Sequence, residues 1–227
     1  MLSVILLIFL VDRSFAIYKV INSKSSAVAF KYNDGVQGES GLHECQLDEV
    51  CSAVHKRFWM PTLSERFCRC SNGIECPWQW DKNPDNVSMT LNNRSHLKFC
   101  TTKKTTCTHK QLAVTVYGKG NSSNAYLVPH NVTVNCLCPK THYWKLQKYS
   151  YEENDNIIQV FRCVKQRMCE RFEFCGNVRS DLYSVYYQCT CPWGHLCIYK
   201  DKMLDNVQEL LYSGPAYRAY CYPFPKQ

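Results

Sequence analysis

Sixteen cysteines fall in a repeating order after residue 44, and that order constrains the fold more than any other feature. The first run reads Cys45-x5-Cys51-x16-Cys68-x-Cys70-x5-Cys76-x23-Cys100. The last reads Cys169-x5-Cys175-x13-Cys189-x-Cys191-x5-Cys197-x23-Cys221. Four of the five spacings are identical, a strong repeat signal over so long a span. Between them stands a reduced copy, Cys107-x28-Cys136-x-Cys138-x24-Cys163. It lacks the second and fifth positions, where Ala113 and Trp144 stand instead.

The expected architecture is a small disulfide-rich, mainly β fold of three tandem cysteine modules in a semi-rigid array. Module boundaries fall at 44–101, 102–163 and 164–227. Each copy spans about 55 residues, too few to bury a large apolar core, and covalent bridges compensate. The reduced copy also informs the pairing. Losing one half of a bridge leaves a reactive thiol, whereas losing both leaves none. The two missing positions are therefore expected to be partners, which predicts Cys51–Cys76 and Cys175–Cys197. The other four cysteines of each full module bridge between the outer positions and the Cys-x-Cys pair, because a bond within Cys-x-Cys is strained. Which outer cysteine takes which inner one stays open.

The compartment follows from the chain start and the cysteine usage. Residues 2–11 are an uncharged apolar run, followed by Asp12, Arg13 and the small residues Ser14 and Ala16. This layout reads as a signal peptide over 1–16; about ten apolar residues are too few to span a bilayer. Residues 17–43 hold no cysteine and read as a loose leader. Even cysteine numbers in a secreted chain read as disulfides. Four sequons fit the same compartment: Asn86, Asn93, Asn121 and Asn131.

Local patterns give a few elements. Leu112–Tyr117, Val132–Val134 and Tyr183–Gln188 are rich in β-branched and aromatic residues and read as strands. Gly118–Asn124 suits an exposed hairpin tip. Asp201–Leu211 is the best helix candidate. The five tryptophans, Trp59, Trp78, Trp80, Trp144 and Trp193, are expected to pack beside the bridges.

Net charge is +8, which favours acidic partners or anionic surfaces; no nucleic-acid module is recognisable. The positive charge gathers at the joints between modules, with Lys103 and Lys104 at the first and Lys165 and Arg167 at the second. Those four are the candidate binding residues. Hydrolase, phosphate-loop and dinucleotide signatures are absent. A zinc reading of Cys189, Cys191, His195 and Cys197 lacks the usual Cys-x2-Cys spacing and competes with disulfides. A binding protein is expected rather than an enzyme, with no cofactor.

Particular runs carry a resemblance. His43–Cys51, the stretch Cys68-Arg-Cys-Ser-Asn-Gly-Ile-Glu-Cys-Pro-Trp78, Leu91–Cys100 and Cys189–Cys197 together resemble the centipede venom proteins called scoloptoxin family 11. The resemblance covers roughly residues 43–223. It implies a secreted venom toxin acting on an extracellular receptor or ion channel, and no catalytic residue. The Asn93–Cys100 ending is also similar to the giant-lens, or Argos, growth-factor antagonists, whose repeated β modules clamp a ligand. That second resemblance implies sequestration of a growth factor.

Overall fold

The computed structural model describes residues 18–22, 27–32, 36–81, 85–102, 105–108, 111–121 and 126–224. The segment expected to be a signal peptide, with Lys103 and Lys104, lies outside these residues, and so does the side chain of Asn121. The chain is mainly β. Its first part carries β1 (Tyr18–Asn22), β2 (Ala27–Tyr32), β3 (Val50–His55), β4 (Thr62–Arg66), β5 (Ser88–Asn92) and β6 (Ser95–Phe99). The middle carries β7 (Leu112–Asn121), β8 (Tyr126–Val134), β9 (His142–Tyr151) and β10 (Asn156–Lys165). The last part carries β11 (Arg167–Met168), β12 (Phe174–Arg179), β13 (Val185–Tyr187), β14 (Cys189–Thr190), β15 (His195–Ile198), β16 (Leu204–Glu209) and β17 (Tyr212–Pro223).

These strands form one sheet per cysteine run, with a short extra ribbon in the last. The first sheet runs β1-β2-β4-β3-β6-β5 and the second β8-β7-β10-β9. The third runs β13-β12-β17-β15 with β16 also on β17, beside the ribbon β11-β14. In β10 the sequence pattern explains the strand directly. Ile157, Gln159, Phe161 and Cys163 alternate inward, while their neighbours face out. Burying Ile157 and Phe161 completely contributes about 2 kcal/mol each.

All sixteen cysteines are paired. Cys51 bonds Cys76 and Cys175 bonds Cys197. The remaining pairs follow one rule in every module: the first outer cysteine takes the first of the Cys-x-Cys pair, and the second of the pair takes the last. This gives Cys45–Cys68 and Cys70–Cys100, Cys107–Cys136 and Cys138–Cys163, Cys169–Cys189 and Cys191–Cys221. The repeat extends to single hydrogen bonds. The amides of Cys45, Cys107 and Cys169 donate to the carbonyls of Arg69, Leu137 and Thr190, each the residue inside its module's Cys-x-Cys, at 2.8, 3.0 and 2.8 Å.

The modules do not hang as separate beads. One apolar cluster takes Val50, Leu97 and Phe99 from the first sheet, Val116, Val132 and Phe161 from the second, and Tyr186, Leu210 and Leu211 from the third region. Ala113 and Trp144, at the two vacated cysteine positions, both lie in this cluster. Packing there replaces the missing bridge.

Four sequence expectations need correction. Residues 27–32 are not a loose leader: β2 lies parallel beside β4, with Val28, Ala29 and Phe30 buried. Phe30 meets Trp78 edge-on and lies under the Arg66 guanidinium. Asp201–Leu211 is not a helix. Its apolar spacing is helix-like, but β16 pairs with β17 from Leu204 to Glu209, and Leu210 and Leu211 turn into the shared core. Of the tip expected over Gly118–Asn124, Gly118 to Asn121 instead continue β7, and residues 122–124 lie outside the described residues; a Cβ at Gly118 would lie 2.3 Å from the Val128 carbonyl oxygen, so only glycine fits there. Finally, Trp59 and Trp193 do not pack beside bridges but stand in solvent at 90% and 99% exposure.

Candidate functional site: a cleft where three modules meet

A cavity of about 370 Å³ opens where the three modules converge. The first sheet contributes His96 from β6, and the loop before β5 contributes Trp80. The start of β9 gives Tyr143 and Trp144, β13 gives Tyr187, and the end of β16 gives Glu209. The wall therefore combines aromatic rings with titratable groups, among them His96, Lys140, His142 and Glu209, the usual make-up of a binding pocket.

Glu209 occupies this place because β16 ends there and Leu211 takes a positive φ of 57° to reverse the chain into β17. Its carboxylate is buried and accepts a hydrogen bond from Asn177 Nδ2 at 2.7 Å. Burial pushes its pKa up to about 7, and the Asn177 bond only partly opposes that. His96 is buried and stacked on Trp80 at 4.0 Å between ring centroids, nearly parallel. Burial, reinforced by the Lys98 charge, lowers its pKa to about 4. Its Nδ1 has no hydrogen-bond partner among the described residues. Behind the wall, the Tyr186 hydroxyl donates to the Leu210 carbonyl at 2.8 Å, and burial pushes it up to about 12. Cys138 lines the cleft but is bridged to Cys163 and offers no thiol.

The cleft escapes sequence reasoning because its residues come from positions 80 to 209 with no local motif. Glu209 also fell inside the segment read as a helix. The proximity of Trp80 to the Cys76-Pro-Trp run was the available clue, and it does not specify a wall.

Of the residues singled out from sequence, Trp80, Asn93, Cys138 and Trp144 line the cleft, whereas Lys165 and Arg167 do not. Lys165 is exposed at the end of β10. Arg167 is exposed but makes a two-pronged ion pair with Glu173, so its charge is already engaged. That pair holds the Glu173 carboxyl down at about 2. Of the sequons, Asn86 is exposed. Asn93 is exposed, and its Oδ1 accepts from the Val185 amide at 2.8 Å, tying the first module to the third. Asn131 is half-buried. The sulfurs of the zinc reading are all in disulfides: Cys189 to Cys169, Cys191 to Cys221 and Cys197 to Cys175.

Two exposed tryptophans mark further candidate contacts. Trp59 sits between β3 and β4 beside Phe58, whose ring is covered by the Arg94 guanidinium at 3.5 Å. Trp193 precedes Gly194, which has φ 77° in the turn into β15. No helix among the described residues is long and apolar enough to cross a membrane.

Comparison with known proteins places these features. No family model matches the chain. Kappa-scoloptoxin(11)-Ss1a of Scolopendra dehaani is 28% identical over 176 residues, covering 73% of this chain and 78% of that protein. Kappa-scoloptoxin(11)-Ssd1b of the same animal is 26% identical over 164 residues, covering 69% and 73%. Among solved structures, unliganded Argos matches with a TM-score of 0.53 at 23% identity, covering 87% of this chain and 99% of the Argos chain. Both resemblances read from the cysteine runs are thus found again: in sequence the chain is similar to the kappa-scoloptoxin(11) proteins, and in fold to Argos.

Proposed function

We propose that this chain is a secreted venom toxin that binds an extracellular receptor or ion channel and catalyses no reaction. The observation that carries the reading is the similarity to two kappa-scoloptoxin(11) proteins over about 70% of the chain. The structure supports it in kind. Eight disulfides and a shared core fix the frame, and that frame holds Trp59 and Trp193 out in water. An exposed tryptophan on a rigid support is a costly surface for a free monomer and an effective anchor in an interface.

The test is electrophysiology. The folded, oxidised protein is applied to arthropod neurons under voltage clamp, with the reduced and alkylated protein as control. A change in current produced only by the oxidised form supports the reading. Identical currents with and without it, across voltage-gated and ligand-gated channels, count against it.

A second reading is an extracellular growth-factor antagonist, favoured by the likeness of fold to Argos across nearly that whole chain. Transcript distribution separates the two. Enrichment in a venom gland favours the toxin, and expression through embryonic tissue favours the antagonist.

A further inference from the structure

The cleft wall holds a pair of groups that the fold leaves unsatisfied. Glu209 is 6% exposed, its carboxylate accepts from the neutral donor Asn177, and no cation pairs with it among the described residues. Buried carboxylates are ordinarily matched by a cation or by several donors. His96 also lines the cleft; it is 3% exposed, with Nδ1 buried and lacking a hydrogen-bond partner among the described residues. Its ring is stacked on Trp80. Trp144, Tyr143 and Tyr187 give the wall its aromatic faces, and Asn92, His142 and Gln188 are among its polar groups. The cleft also carries Lys140, but that side chain is exposed to solvent.

We propose that the three-module cleft is a binding site for an organic cation, a primary ammonium carried on an apolar or aromatic body. An ammonium presents three donors and one positive charge. The charge meets the Glu209 carboxylate in a charge-assisted bond. The remaining N–H groups have the polar lining of the cleft, Asn92 and Gln188 among it, as acceptors. The aromatic faces add cation–π attraction and cover the apolar body. Burial with one neutral donor leaves the carboxyl titrating at about 7, the behaviour of a group that lacks its counter-charge. An anionic ligand fits worse, since reaching the aromatic wall sets its charge against Glu209. The cavity of about 370 Å³ lies in the range of small-molecule sites.

One chemistry has two sources here: a free aromatic amine, or a lysine side chain on a protein target. The inference stands apart from the choice between toxin and antagonist, because either protein could carry such a site.

The test follows the heat of binding to the whole folded protein at pH 8 by titration calorimetry. The probes are tryptamine, N-acetyltryptamine, indole-3-acetate and Nα-acetyl-lysine methylamide. Tryptamine is expected to bind at least tenfold tighter than N-acetyltryptamine, which has the same body without the charge, and indole-3-acetate is expected to bind weakest. Glu209→Gln should lose that tenfold preference while keeping its Asn177 hydrogen bond, and with the buried charge removed its melting temperature at pH 8 should not fall. Binding of the lysine derivative alone assigns the site to a protein side chain, and binding of tryptamine alone assigns it to a free amine. Failure of both amines to bind, equal binding of charged and neutral probes, or an unchanged preference in Glu209→Gln overturns the inference. None of these results bears on the currents that test the toxin reading.

Discussion

Asn131 Nδ2 donates to the Glu49 carboxylate at 2.7 Å, joining the middle module to the first across 82 residues of sequence. The same carboxylate is buried and receives His43 Nε2 at 2.6 Å and the Gln46 amide at 2.8 Å. Asn131 Nδ2 is also the atom that would carry a sugar. A glycan there must compete for a nitrogen committed to a buried acid. Asn86 is exposed, with no such commitment among the described residues. Glycopeptide mapping of folded protein from insect cells should therefore find sugar at Asn86 and none at Asn131. A fully glycosylated Asn131 peptide from folded protein would falsify this.

Glu49→Ala tests the same contact energetically. It leaves Asn131 without its acceptor and removes a tie between two modules. The expected loss is about 1–3 kcal/mol of stability, read from urea melts. A loss near zero would mean that water replaces the carboxylate without cost.

The cleft residues set an acid-side stability profile. Glu209 has a folded pKa of about 7, above its ordinary value of 4.5. Its contribution is complete below about pH 4.5 and is lost as pH rises through 7, roughly 3 kcal/mol in all. His96 has a folded pKa of about 4, below its ordinary 6.5. Its contribution is complete above 6.5 and is lost as pH falls toward 4, roughly 2 kcal/mol after a discount for screening through the cleft. The two slopes oppose each other between pH 4.5 and 6.5. The intact protein should be nearly level in that window, while Glu209→Gln weakens on acidification and His96→Asn weakens on alkalinisation. Parallel profiles for all three proteins in urea titrations would contradict the assignment. The Asp181 carboxyl is held below its ordinary value by Arg179, so it adds its own loss only at lower pH.

Replacing Cys175 and Cys197 together by alanine should leave a folded protein, less stable by about 3–4 kcal/mol for the 22-residue loop the bond closes. The middle module already folds without the equivalent pair. Cys175→Ala alone should show one reactive thiol in the Ellman assay, with lower yield and mixed disulfides. Equal yields of the single and double variants would count against a simple loss of one bond.

Trp59→Ala and Trp193→Ala should change stability by less than about 0.5 kcal/mol, because both side chains stand almost wholly in solvent. At least one should weaken activity on the target tenfold. Lys165→Gln and Arg167→Gln make the comparison. Arg167 is already engaged by Glu173 on an exposed surface, so its removal should leave stability little changed. If the tryptophan variants keep full potency, the anchors lie on another face.

The cysteine spacing made much of this fold legible. It carried the modules and, through the joint absence of two positions in the middle copy, a pairing hypothesis. The strands of the middle module were legible too, since Leu112–Tyr117 and Val132–Val134 alternate in a way only a sheet satisfies. Asp201–Leu211 misled because Leu204, Val207, Leu210 and Leu211 recur at helical spacing, and only pairing with the distant β17 decides otherwise. Residues 27–32 were misread for a similar reason. Val28-Ala-Phe30 is a short apolar run whose partner, β4, lies more than thirty residues on. The cleft was invisible because no stretch of sequence contains it.

The parallel seat of β2 on β4 has a practical corollary. Trimming the chain to begin at the first cysteine would keep all eight disulfides, and a mass spectrum would report a perfect product. Yet β4 would lose its outer neighbour, and Trp78 and Arg66 would lose the ring of Phe30. An uncapped, hydrogen-bond-hungry border beside bared aromatics is a template for self-assembly. Correct crosslinks would then coexist with a protein that precipitates.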